Sequence, residues 1–162
     1  MYIYKTKYFE IHELVSPELY EVLGEEKCWQ LLPEVVKLQL DQIREEFYIT
    51  YGLGILINNW GFGGDFGGDF GGDYKYSGVR PINCKIGAAN SRHKQWVAFD
   101  LKPSDLESIE ELHGFIKTLG ASWNISRVEE FEHTPTWCHV EFALESFVDK
   151  PYYFKPHRRE NV

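Results

Sequence analysis

Basic residues are scarce in this chain: 17 Lys and Arg stand against 25 Asp and Glu, a formal charge of −8. A surface that tracks phosphates needs clustered cations, so no nucleic-acid partner is expected. The one local basic cluster, His157-Arg158-Arg159, reads as a solvated tail. Cysteine is scarce too. Cys28, Cys84 and Cys138 are odd in number and far apart, which argues against a disulfide framework or a Cys-x-x-Cys metal site and for reduced, mostly buried thiols. Long apolar runs are missing, and nothing approaches the ~20 residues that span a bilayer, so no membrane partner is expected. The opening MYIYKTKYFEIHELV lacks the charged-then-apolar order and the small-residue cleavage site of a secretory signal. Synthesis in a cytoplasm is the expectation, with any extracellular role reached by lysis or by packaging in a particle.

What is present is a core. Apolar residues make up 43% and aromatics 16% of 162 residues, enough for one globular domain over 1–162. Ser16-Pro17 reads as an N-cap and first helical residue, opening a short helix that stops at Gly24. A second helix begins near Pro33, where Val36, Leu40, Ile43 and Phe47 recur at helical spacing and Lys37, Asp41, Arg44 and Glu45 fall off the stripe. Gly52 and Gly54 end it, and Ile55-Leu56-Ile57 reads as a short buried strand. From Phe62 to Asp73, Phe-Gly-Gly-Asp occurs three times in tandem. It fits neither a phosphate-binding nor a calcium-binding repeat, and reads as a surface loop lengthened by repeat expansion.

Val97-Ala98-Phe99 reads as a strand ended by Pro103. Ser104-Asp105-Leu106-Glu107 reads as a capping box. The helix it opens carries a stripe of Leu106, Ile109, Leu112, Ile116 and Leu119, closed by Gly120 at the C′ position. Two more strands are expected over Ser126–Phe131 and Trp137–Phe142. Helices early and strands late, without βαβ alternation, predict an α+β domain: N-terminal helices and one central helix on a small, mainly antiparallel sheet. Its parts are a helical lead-in over 9–48, a core over 52–142 and a tail over 150–162.

Three fragments of that core carry chemistry. Arg80 sits between a glycine turn and a proline, Ser91-Arg92-His93 runs on to Asp100, and His139 lies in the apolar strand Trp137-Cys138-His139-Val140-Glu141. Alternation puts Trp137, His139 and Glu141 on one face. Taken singly, a loop histidine is usually solvated, a strand-end aspartate caps the next turn, and a strand histidine is a hydrogen-bonded core residue. Together, His93, Asp100 and His139 make a three-ligand zinc set that leaves a fourth position to water. Zinc would draw that water's pKa toward ~7 and polarise a carbonyl. Arg80 would hold a carboxylate bidentately. Such an apparatus suits hydrolysis of a short peptide near a free C-terminus.

Ser77-Gly78-Val79-Arg80, then Ser91, His93, Ala98 and Asp100 on the pattern SxHxxGxAxD, then Trp137-Cys138-His139, resemble peptidase family M15. Its members are zinc D-Ala-D-Ala peptidases and L-Ala-D-Glu endolysins sharing the fold of the hedgehog signalling domain. The resemblance spans roughly Gly52 to Phe142, and the stretch from Phe9 to Tyr48 is similar to the lead-in of short phage-encoded members. It implies that His93, Asp100 and His139 ligate zinc, that Arg80 binds a substrate carboxylate with Ser91 supporting the ligand loop, and that the substrate is the peptide stem of peptidoglycan. Two positions depart from the pattern: its glycine is Trp96 here, and Thr136 stands where many members carry a general-base carboxylate. Threonine cannot take a proton at neutral pH, so Glu132 and then His133 are the candidate proton carriers. The alternative is a non-catalytic structural or binding protein of a virion that keeps the fold, with or without a metal.

Overall fold

The structure, a computed structural model, describes residues 3–61, 74–144 and 151–155. The Phe-Gly-Gly-Asp repeat and the His157-Arg158-Arg159 cluster lie outside the described residues. The chain begins with a single turn, α1 (Ile11–Leu14), followed by α2 (Pro17–Leu31) and α3 (Glu34–Tyr51). Ser16 and Pro17 open α2 as expected, and Gly24 interrupts it, so that two helical stretches meet at a kink. Glycine takes φ 75° there, and the chain re-enters the helix as far as Leu31. A residue free to adopt positive φ can break one helical stretch and let the next begin at once. Gly52, at φ 72°, does close α3.

Val36, Leu40, Ile43 and Phe47 are buried together along α3. Lys37 and Asp41, off that stripe by periodicity, are also buried. Each is held by partners from the N-terminal segment: Lys37 Nζ donates to the carbonyls of Tyr4 (2.6 Å) and Trp29 (3.0 Å). Asp41 accepts from Tyr4 Oη (2.7 Å) and from the amides of Lys7 (2.7 Å) and Tyr8 (3.1 Å). Satisfied in this way, the two polar groups can be covered without the usual cost of burial.

Five strands form the sheet among the described residues: β1 (Ile55–Leu56), β2 (Ala98–Pro103), β3 (Ile125–Glu129), β4 (Cys138–Phe142) and β5 (Tyr152–Phe154). Their order is β1-β2-β4-β3-β5, antiparallel except where β5 runs parallel to β3. The protein is thus α+β. Between β2 and β3 lies α4 (Ile109–Leu119), entered through a 3-10 turn at Leu106–Ser108. Asp105 caps that turn alone, accepting from Glu107 N at 3.1 Å. Gly120 stays right-handed (φ −57°), a further 3-10 turn follows, and Asn124 at φ 52° makes the left-handed exit. The tail was not expected to contain β5.

Alternation divides the sheet. Phe99 and Leu101 of β2, Val128 of β3, and Cys138 and Val140 of β4 pack into one core with α3 and α4. The opposite face carries Asp100, His139 and Glu141. The β2–β4 register sets Asp100 directly opposite His139.

Candidate metal centre

His93 arrives from outside the sheet, on a 3-10 turn at Arg92–Gln95 that begins after Ser91 and ends at Trp96. Trp96 has φ 65° and ψ 22°. Glycine adopts this left-handed conformation freely, whereas it costs a residue with a Cβ about 1 kcal/mol. The indole packs against the core and is not among the residues lining the cavity over the site.

His93 Nε2, Asp100 Oδ1 and His139 Nδ1 form a small triangle with sides of 3.2, 2.8 and 3.3 Å. A tetrahedral ion with bonds of about 2.0 Å spaces its ligand atoms about 3.3 Å apart, so the triangle already has the size of one coordination face. The three side chains can hold a metal ion as they stand.

The far side of each group is also engaged. His93 Nδ1–H donates to the carbonyl of Gly78 (2.9 Å), leaving Nε2 as the lone-pair atom. His139 turns Nε2 toward Glu141 Oε1 (3.4 Å) and Nδ1 toward the triangle. Arg80 Nη2 donates to Asp100 Oδ2 (3.2 Å), and its Nε donates to the carbonyl of Tyr76. A Cβ at Gly87 would come within 2.8 Å of Arg80 Nη1, so glycine there leaves room for the guanidinium.

The segment Ser77–Arg80 that anchors these contacts is itself pinned by the main chain. Val79 N donates to Leu14 O (2.8 Å), Asp100 N to Ser77 O (2.7 Å), and Arg80 N to His93 O (3.2 Å). A Cβ at Gly78 would overlap the carbonyl oxygen of Leu14. Beneath the site, buried Lys102 Nζ reaches Ser77 Oγ (2.6 Å) and the carbonyls of Ile57 and Asp100 (both 3.3 Å). Burial pushes its ammonium down to about 8, with Asp100 opposing.

Burial alone would raise the carboxyl of Asp100, but the adjacent imidazoles of His93 and His139 hold it well below its usual value. Burial lowers His93. It acts the same way on His139, where hydrogen bonds to Asp100 and Glu141 prevail and raise the imidazole to about 9. The proton held on Nδ1 is the one a metal ion would displace.

The site opens into a cavity of about 840 Å³. Of the residues expected to serve it, Arg80, Ser91, His93, Asp100 and His139 are brought together and line it. Glu132 and His133 sit on a 3-10 turn at Phe131–His133 and are not among the lining residues; Thr136 is exposed on the following turn. The cavity wall instead includes Glu129, Glu130 and Glu141, with Tyr152 and Phe154 from β5. Glu141 was legible as a face-mate of His139. The β5 wall carries no local signal, since three residues set no period. Comparison with family models, with curated proteins and with solved structures finds no match. No helix among the described residues is long and apolar enough to cross a membrane.

Proposed function

We propose that this chain is a zinc-dependent peptidase of the D-Ala-D-Ala peptidase and L-Ala-D-Glu endolysin type, hedgehog-like in fold and phage-encoded, acting on peptidoglycan stems. The observation that carries the reading is the meeting of His93 Nε2, Asp100 Oδ1 and His139 Nδ1 within 3.3 Å of one another at the floor of an open cavity. Two imidazoles and one carboxylate suit zinc, whereas calcium and magnesium favour oxygen ligands throughout. When bound there, zinc supplies a Lewis acid for the scissile carbonyl and an acidified water.

The chain's own groups do the rest. Arg80, buried and braced by Tyr76 and Asp100, presents a fixed cation on the cavity wall for the free carboxylate of a stem peptide. Ser91 starts the ligand turn, its carbonyl accepting from Lys94 N at 3.0 Å. A proton carrier has to reach the cavity, which favours Glu129 over Glu132 and His133. Continued by one residue, the β3–β4 register sets Glu129 beside His139, while Glu141 lies behind the imidazole on its Nε2 side.

Zinc content by elemental analysis, with cleavage of purified peptidoglycan assayed on the same sample, tests the reading. One zinc per chain and chelator-sensitive release of stem fragments are expected. A second reading, a non-catalytic binding protein of a virion on the same fold, is favoured by the exposed Thr136 in place of a cavity carboxylate. Zinc without cleavage would select it.

A further inference from the structure

The two imidazoles are held in different ways, and the fixing of His139 has no counterpart in the resemblance drawn from the sequence. Arg127 of β3 stands directly opposite Glu141 of β4 and pairs with Tyr152 of β5. Its Nη1 lies 3.3 Å from Glu141 Oε2, and its guanidinium covers the ring of Phe154 at 4.3 Å. Phe154 in turn meets the His139 ring edge-on, with centroids 5.9 Å apart and planes at 85°. Glu141 completes the circuit through its 3.4 Å contact with His139 Nε2. One cation therefore sits on both groups that flank the imidazole. Arg92 also approaches Glu141 Oε2, at 3.7 Å, but it does not share the contact with Phe154.

We propose that Arg127 is a positioning residue for the metal ligand His139, and that through Glu141 and Phe154 it makes the docking of β5 part of metal binding. The inference rests on the metal reading above. An imidazole on a strand can rotate about χ2 and present either nitrogen. Glu141 selects the ring orientation by accepting from Nε2–H, and the edge of Phe154 limits its swing. Arg127 serves both restraints: it is the nearer of the two arginines on the 5%-exposed Glu141 side chain, at 3.3 Å against 3.7 Å for Arg92, and the Phe154 ring is held between its guanidinium and the imidazole. Three residues of parallel strand bury too little to hold an edge alone, so the stacked cation and the metal-bound imidazole become part of what keeps β5 in place. Arg127 is itself 43% exposed, so its replacement leaves the core intact.

The experiment uses the full chain and zinc as the probe, with affinity measured by competition against a chelator. Arg127→Met keeps the apolar stem and removes the cation; Arg127→Lys restores a charge that can still reach Glu141. Arg127→Met is expected to weaken zinc at least tenfold and Arg127→Lys to recover most of that loss, in keeping with the roughly 10–100-fold typical of groups behind a metal ligand. Cobalt substituted for zinc should show an altered visible spectrum in Arg127→Met and not in Arg127→Lys. Zinc should slow amide exchange over 152–154 in the unaltered chain more than in Arg127→Met. Equal zinc affinity in Arg127→Met and the unaltered chain would overturn the proposal while leaving the metal reading standing. A lower melting temperature without zinc, with the zinc-induced rise preserved, would also overturn it by showing a merely structural role. An unaltered chain that binds no zinc would remove both.

Discussion

The two sides of the candidate metal site are built from different materials. On the His93 side the contacts are main-chain: the carbonyl of Gly78 receives the imidazole N–H, and the Ser77–Arg80 segment is tied to Leu14, His93 and Asp100 through backbone hydrogen bonds. On the His139 side the imidazole is fixed by side chains, Glu141 and Phe154, with Arg127 behind both. A backbone carbonyl survives almost any substitution at its own residue, whereas a carboxylate or guanidinium is lost with one. The first side is therefore sensitive chiefly to changes that move the chain, and the second to changes that leave the chain in place and alter chemistry.

Removing a ligand should cost most, on either side. His93→Ala and His139→Ala should each weaken zinc by more than about a thousandfold, since a two-ligand remnant cannot complete a protein-held site. Chelator competition measures it, and equal affinity in either variant would break the ligand set. Gly78→Ala should come next. The added methyl has no room against Leu14 O, so the segment must shift, at about 3 kcal/mol in denaturant unfolding and with loss of the His93 contact. A silent Gly78→Ala would show that the main-chain side is looser than drawn.

Glu13 offers a pH test of the same side, because its own carbonyl accepts from Asn58 N at 3.0 Å and the next carbonyl holds Val79. Burial raises its carboxyl to about 7, against the opposing hydrogen bond from Glu10 and the charge of Arg44. A folded-state value above the unfolded one means that the native chain binds the extra proton. The stabilisation is complete below about 4.5 and is lost as pH rises through about 7. Glu13→Gln keeps an acceptor for the Glu10 amide, should flatten that slope, and should raise stability above pH 7 by about 2 kcal/mol. An unchanged slope in urea titrations would remove Glu13 as its source.

Glu141→Gln should have the smallest effect. The amide oxygen can still accept from His139 Nε2–H, but the charge facing Arg127 and Arg92 is gone, so zinc should weaken by about tenfold with little change in unfolding. If unfolding shifts and zinc does not, the side-chain half of the comparison is wrong.

The contrast also marks what could be read from sequence. The α3 stripe at Val36, Leu40, Ile43 and Phe47 was legible because one period runs unbroken for three turns. His139 was legible because alternation through Cys138 and Val140 leaves it facing away from the core. Lys37 and Asp41 fall off the α3 stripe yet are buried, because their partners come from residues 4–8 and from Trp29, which no helical period includes. Gly120 does stand at the end of α4, but right-handed, and the left-handed exit its residue type suggested falls on Asn124 after an intervening 3-10 turn. The β5 strand escaped because its parallel pairing with β3 is set by tertiary contact, and three residues carry no pattern of their own. Glu132 and His133 were chosen for nearness in sequence to His139, but the turn between β3 and β4 carries them off the cavity wall.

X-ray absorption at the zinc edge of the metal-loaded chain tests the central claim most directly. The account predicts a first shell of nitrogen and oxygen alone at about 2.0–2.1 Å, with an outer-shell signature of two imidazoles. A sulfur scatterer at about 2.3 Å, or a shell without imidazole, would contradict it.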